Sequence, residues 1–431
     1  MQPVCEHPFG AGGLVARRYR LDNGLSIILV ADRTVPIVAY QTWFRVGSRH
    51  EHAGKTGLAH FFEHLMFNET EHLAPGEFDR RLEAVGADTN AATWLDWTYY
   101  RENVPPTALD LVMSLEADRM AHLVVHDPQV ESEREVVASE RRAHVEDDVE
   151  GFLGERLYEL SYTSHPYRWP TIGWMADILA FSTEDARNFY RTYYAPNNAT
   201  VVVVGAFEER EVLARFAQHY GRLAPSVIPA EPVAAEPPQE GSRRARFPKE
   251  VAADRLLMGW SGVGLGHPDH AALAVAVELL AGSNSSRLYR HLVVERTLCS
   301  SVAMDMPEFR DAGLVELRAS LMRGQRAAAA EEVIAGQLAT LGVEGPTPEE
   351  LGRAKNRLEA AHWHGLRHPE GKARSIGHWE TTVGDFRGLF QVADRVRAVA
   401  AEDVRRVVAT HFAPERCNVV VAEPARRRRV A

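Results

Sequence analysis

Cysteine is scarce in this chain of 431 residues, which has only Cys5, Cys299 and Cys417. They are odd in number, far apart and without a CxxC pair, so neither a disulfide framework nor a thiolate zinc site organises the fold. No run of 18 or more apolar residues occurs, and no segment reads as a membrane-spanning helix. The opening residues, MQPVCEHPFGAGG, lack a basic stretch followed by an apolar one, so no secretory signal is expected. The expected location is the cytoplasm, or the periplasm if a signal segment has been removed. Positive charge is not in excess either: 49 Lys and Arg stand against 59 Asp and Glu, a formal net charge of −10. That balance argues against a nucleic-acid surface. The one basic cluster, Arg426 to Arg429, reads as a solvated tail.

What the chain does have is length, with 45% hydrophobic residues. That is too much for one compact core, so two or more domains are expected. Composition breaks at RLAPSVIPAEPVAAEPPQEGSRRARFP, residues 222–248, which is rich in Pro, Ala and charge and reads as an extended linker. It separates residues 1–221 from residues 249–431.

The two halves resemble each other. RNFYRTYYAPNNATVVVV (187–204) and RRVVATHFAPERCNVVVA (405–422) align at an offset of 218 residues, each a helix, an Ala-Pro turn and a short apolar strand. Upstream, QTWFRVGSRHEHAGKTGLAHFFEHLMF and LLMGWSGVGLGHPDHAALAVAVELLAG each run from a strand through a Gly-containing turn into a helix. This reads as a duplication. ARRYRLDNGLSIILVADR suggests two strands joined by an Asp-Asn-Gly turn, and helical patterns follow at Leu109–Val125, Pro128–Val149 and Thr183–Tyr193. The expected class is α+β, with helices packed on largely antiparallel sheets.

The chemistry concentrates in TGLAHFFEHLMF, residues 56–67. Leu58, Phe61, Phe62 and Leu65 follow helical spacing and form an apolar stripe, while His60, Glu63 and His64 fall within a roughly 100° arc on the other side. Two imidazoles one turn apart can reach one ion, and a carboxylate three residues from the first sits beside it. Zinc suits such a set in hydrolytic sites, which use three protein ligands and keep one position for water; H-x-x-E-H is the inverzincin pattern. Glu140 is the expected third ligand, on a helix opened by Asp127 and Pro128. Glu133 and Glu140, seven apart, share its face, with Val130, Val136 and Val137 on a neighbouring stripe. Glu131, Glu135 and Glu146 read as solvated.

With these residues, the chain resembles the M16 peptidases, the family of pitrilysin, insulin-degrading enzyme and mitochondrial processing peptidase. The resemblance runs through GLAHFFEHLMF, EREVVASE, HPYRWPTIGW, YYAPNNATVVVVG and SSRLYRHL, and the length is similar to that of the short bacterial members. It implies two homologous domains, each a roughly six-stranded antiparallel sheet backed by helices, that together make half of a clamshell. The N-terminal domain would bind zinc. The C-terminal one, with ELLAG (278–282) where HFFEH would fall, would be metal-free.

The same resemblance makes His60, His64 and Glu140 zinc ligands and Glu63 the general base, with Glu133 supporting the site. Asn90 and Ala91 would lie on an edge strand that takes peptide by strand addition, and Glu150 would read basic residues near the cleavage point. Fully active members carry an Arg and, seven residues on, a Tyr that stabilise the substrate carbonyl. Here those positions hold Val293 and Ser300. The resemblance therefore implies a related partner subunit that supplies the pair, or otherwise a homodimer. The expected activity is zinc-dependent hydrolysis of peptides or unfolded polypeptides by the zinc-bearing subunit of a dimer. The alternative is a non-catalytic scaffold of the same fold, whose usual mark, an eroded metal motif, is missing here.

Overall fold

The computed structural model of the protein describes residues 2–9, 13–231 and 235–425. The tail arginines Arg426–Arg429 lie outside the described residues. Seven strands form the first sheet: β1 (Cys5–Phe9), β2 (Leu14–Arg20), β3 (Ser26–Ala31), β4 (Val38–Phe44), β5 (Asp88–Thr93), β6 (Thr98–Val104) and β7 (Ala199–Gly205). Five form the second: β8 (Arg243–Lys249), β9 (Arg255–Ser261), β10 (Cys299–Asp305), β11 (Leu314–Leu321) and β12 (Asn418–Pro424). Burial explains the placement. β4 and β7 are buried at every position and lie at the centre, whereas β5, with exposed Asp88 and Asn90, lies at an edge.

The strand orders carry the duplication into three dimensions. The first sheet runs β1-β2-β3-β7-β4-β6-β5 and the second β10-β11-β9-β12-β8. Read from the other edge, the second matches β3-β7-β4-β6-β5 strand for strand. The parallel pairs correspond as well, β3 with β7 and β8 with β12, and the other pairs are antiparallel. The first sheet gains the β1–β2 hairpin, so the sheets have seven and five strands rather than about six each. The helices Thr183–Tyr193 and Ala401–His411 lie at the offset of 218 residues, and both lead through a 3-10 turn into β7 and β12.

Three local expectations change. The segment 222–248 ends in a strand, because RRARFPK alternates in burial and pairs along β12, with Pro248 tolerated at the sheet edge. The helical pattern from Pro128 to Val149 is broken: an α-helix covers Asp127–Arg141, a π-turn follows at Arg142–Glu146, and a new helix, Val149–Ser161, starts where the Asp148 carboxylate accepts the Gly151 N–H. Val136 is half exposed rather than part of the apolar stripe of Val130 and Val137.

Two compact units result. Among the described residues, the first gathers Met1–Arg141, Trp169–Val233 and Trp363–Phe390; the second gathers Arg142–Arg168, Ala234–His362 and Gln391–Ala431. Each unit therefore contains one helix from the opposite half of the sequence. Pro369–Val383 lies on the first sheet, with Gly377 against the Trp43 ring, Arg18 paired with Glu380 at 2.8 Å, and Lys372 paired with the buried Asp32. Val149–Ser161 lies on the second sheet: Leu157 packs on Gly259, and the Tyr158 hydroxyl donates to Glu316 at 2.9 Å. These two helices occupy equivalent places in the repeats, so the exchange is reciprocal.

Candidate metal centre

The helix Leu58–Leu65 buries Leu58, Phe61, Phe62 and Leu65 and leaves His60, Glu63 and His64 partly accessible, as its spacing predicts. Its start is unusual. Gly57 has φ of +91° and faces Gly173, with φ of +85°; a Cβ on Gly57 would lie 2.3 Å from the Ile172 carbonyl, and one on Gly173 would lie 2.1 Å from that of Thr56. Only glycine allows both the conformation and the approach. The orphan N–H groups at this end are met by Glu51, whose carboxylate accepts from Gly57 and Ala59, each at 2.7 Å. Glu51 is buried, and burial raises its pKa well above the usual carboxylate range. Replacing Glu51 with alanine strands these donors, and thermal denaturation should show a loss of roughly 1–3 kcal/mol.

The helix Asp127–Arg141 brings the second set of side chains. Its last residue, Arg141, donates to the Gly173 carbonyl at 2.7 Å, which ties this helix to the glycine contact where the first begins. Glu140 thereby meets both imidazoles. His60, His64 and Glu140 place one ligand atom each within 4.8 Å of the others. The Glu140 Oε2 lies 3.5 Å from His64 Nε2 and 3.7 Å from His60 Nε2. The His64 Nδ1 is held by Glu133 at 2.8 Å, which fixes the ring and turns Nε2 toward Glu140. Glu131, Glu135 and Glu146 are exposed, as expected.

The electrostatics separate the two histidines. Burial, and then the neighbouring His64, push His60 down to about 4. Burial works in the same direction on His64, but its hydrogen bonds to Glu133 and Glu140 and their charges outweigh it and push it up to about 10. Glu63 is raised by burial, against a hydrogen bond with Thr93 and the pull of His64. Its Oε2 and the His60 Nδ1 are buried without a hydrogen-bond partner among the described residues. Two imidazoles and a carboxylate converging on one point, with a second carboxylate behind one ring, suit a divalent metal ion in a hydrolytic site.

Sequence reasoning named the three converging side chains, Glu63 and Glu133, and the structure brings all five together. It missed Glu51, Thr93 and Arg141. Glu51 lies outside any capping spacing, so only the folded turn could reveal its role. Asn90 and Ala91 lie on β5, the edge of the first sheet, paired only with β6 among the described residues; the Asn90 side chain accepts the Ala91 N–H at 2.8 Å. Glu150 falls in the second unit, exposed in the first turn of its helix and 3.7 Å from Arg255. Val293 packs against the second core, and the Ser300 hydroxyl donates to the Ser320 carbonyl at 3.2 Å.

The second repeat shows what replaces the cluster. At the offset of 218 residues, His60, Glu63 and His64 correspond to Glu278, Ala281 and Gly282, while Glu133 and Glu140 correspond to Leu351 and Leu358. Both leucines pack against the second core, and Glu278 is paired with Arg357 at 2.5 Å. A guanidinium neutralises the one carboxylate left there.

Fold and cluster define a class: chains of two repeated α+β domains with an H-x-x-E-H helix on the first alone. Comparison with known proteins agrees. The family model described as "Insulinase (Peptidase family M16)" matches residues 26–173, and that described as "Peptidase M16 inactive domain" matches residues 180–358. The chain is 30% identical over 409 residues to the zinc protease PqqE of Helicobacter pylori, covering 94% of this chain and 92% of that one. It is 25% identical to the uncharacterized zinc protease YmxG of Bacillus subtilis, covering 90% and 93%. The crystal structure of a protease from Helicobacter pylori superposes with a TM-score of 0.91 at 29% identity, covering 95% of this chain and 99% of that one. The chain belongs to peptidase family M16.

Proposed function

We propose that this chain is a zinc metallopeptidase that hydrolyses peptides or unfolded polypeptides, with zinc held by His60, His64 and Glu140. The observation that carries the reading is the convergence of those three ligand atoms within 4.8 Å while Glu133 holds the outer nitrogen of His64. Its relatives' names as zinc proteases support it. When bound, zinc lowers the pKa of water and polarises the scissile carbonyl. Glu63, buried beside the cluster, takes the proton of the attacking water and delivers it to the leaving amine; burial raises its pKa and so suits it to both transfers.

The substrate's place follows from β5. An extended peptide would add to this free edge as an eighth strand and displace the Asn90 side chain from the Ala91 N–H. Glu150 remains the proposed reader of basic side chains, and no nucleic acid is expected as a partner. Among the described residues, no helix is long and apolar enough to cross a membrane.

Chelation tests the reading. Metal-free protein should lose cleavage of an unstructured peptide and regain it with one equivalent of zinc at the His60–His64–Glu140 cluster. Zinc uptake without cleavage, even with a related subunit added, would favour the scaffold. Uptake should also depend on pH. At neutral pH His64 is protonated, since its pKa lies at about 10, and His60 is already neutral. Binding must then displace the His64 Nε2 proton, while Nδ1–H stays on Glu133. Zinc affinity should therefore rise about tenfold per pH unit between about pH 7 and 9, with about one proton released. Calorimetry in buffers of different ionisation enthalpy reads that number; no release would show that His64 is already neutral before zinc binds or does not bind it.

A further inference from the structure

A second set of metal-ligating side chains lies in the first unit. His72, Asp118 and His122 each place a ligand atom within 4.8 Å of the other two. His122 ends the helix Leu109–His122, and Asp118 stands one turn earlier on the same face, a spacing at which two side chains reach one ion. His72 comes from the loop that leaves the helix Leu58–Leu65. Its Nδ1 lies 2.5 Å from the Asp118 Oδ1, and its ring meets the His122 ring edge-on, with centroids 4.7 Å apart. The Glu71 carboxylate stands 3.3 Å from His122 Nδ1.

The backbone holds this arrangement in advance. Thr70 and Leu123 form an antiparallel bridge. The Glu71 N–H donates to the His122 carbonyl at 2.9 Å, and the Val124 N–H to that of Glu69 at 3.0 Å. The Thr70 hydroxyl donates to Asp118 Oδ2 at 2.5 Å and accepts from the N–H groups of His72 and Leu73 at 3.1 and 3.0 Å. One Asp118 oxygen is thus fixed by Thr70, and the other faces His72.

We propose that His72, Asp118 and His122 form a second divalent-cation site with a donor set suited to zinc. An ordinary His–Asp ion pair does not call for a second imidazole set edge-on against the first, with its own carboxylate, Glu71, behind it. A metal ion accounts for the arrangement, because it uses both rings and the Asp118 carboxylate at once. Ligands about 2.0–2.2 Å from zinc stand roughly 3.4 Å apart, so the His72–Asp118 contact must open by roughly 1 Å. His72, with 61% of its side chain exposed, is free to move that far.

Its place in the chain suggests a structural role. Residues 66–72 lead out of the helix that carries His60 and His64. Residues 123–126 lead into the helix that carries Glu133 and Glu140, and His126 at that junction pairs with Glu69 at 3.2 Å. An ion here clamps the exit of one ligand-bearing helix to the approach of the other.

Zinc titration of metal-free full-length protein tests this, with cobalt absorption as a second readout. Wild type should bind two equivalents, and His72→Ala and His122→Ala one each. The double variant His60→Ala, His64→Ala should keep one, which disappears when His122→Ala is added. The stoichiometry of that double variant separates failure of this site from failure of the first. Circular dichroism confirms folding, and His72→Ala, altered in an exposed side chain, serves if His122→Ala does not fold. A single equivalent in wild type that disappears in the double variant His60→Ala, His64→Ala, or a second equivalent that survives in His72→Ala, overturns the proposal.

Discussion

Replacing Glu63 with glutamine should lower peptide cleavage by about 10²–10⁴-fold, the usual contribution of a positioned general base. Glutamine keeps the size of the side chain and can keep the hydrogen bond to Thr93, but it cannot accept a proton from water. Because Glu63 is not in the converging set of His60, His64 and Glu140, zinc content should stay at the wild-type value. Steady-state cleavage of a fluorogenic peptide, with metal analysis of the same sample, checks both parts. A variant that keeps its activity would remove Glu63 from the mechanism. One that loses zinc together with activity would make it part of the metal-binding set.

The second large effect concerns the chain on its own. Val293 and Ser300 stand where the resemblance implies an Arg and a Tyr, and neither can stabilise a developing oxyanion: the first is an aliphatic packed on the second core, and the second gives its hydroxyl proton to the Ser320 carbonyl. Removing one such donor typically costs about 10²–10³ in kcat. The purified chain should therefore cleave at least about a hundredfold more slowly than the same chain mixed with a related subunit that carries the pair. Copurification from the native host would identify that subunit, and kcat with and without it gives the ratio. Full activity from the lone chain would refute the shared-site arrangement.

Much of the candidate site was legible because it depends on local periodicity. An apolar stripe opposite His60, Glu63 and His64 needs only the geometry of one helix, and Glu133 and Glu140 share a face through the heptad spacing of another. The edge position of β5 was legible only through the resemblance, since an alternating strand says nothing of its neighbours. Glu51 was not legible at all. It caps the helix from outside any capping motif, and a turn closed by Gly57 against Gly173 brings it there.

By itself the sequence determined the duplication, the α+β class and the loss of metal ligands from the second copy, because identities at a fixed offset and residue chemistry require no knowledge of contacts. Tertiary structure decided which unit each helix joins. Val149–Ser161 and Pro369–Val383 are each exchanged to the opposite sheet. Nothing local distinguishes a helix that packs on its own repeat from one that packs on the other, because both need only an apolar face. The same holds for the meeting of His72 with Asp118 and His122: residues 46 or more apart converge because a backbone bridge at Thr70 joins their segments, and long-range pairing of that kind is written in no periodicity.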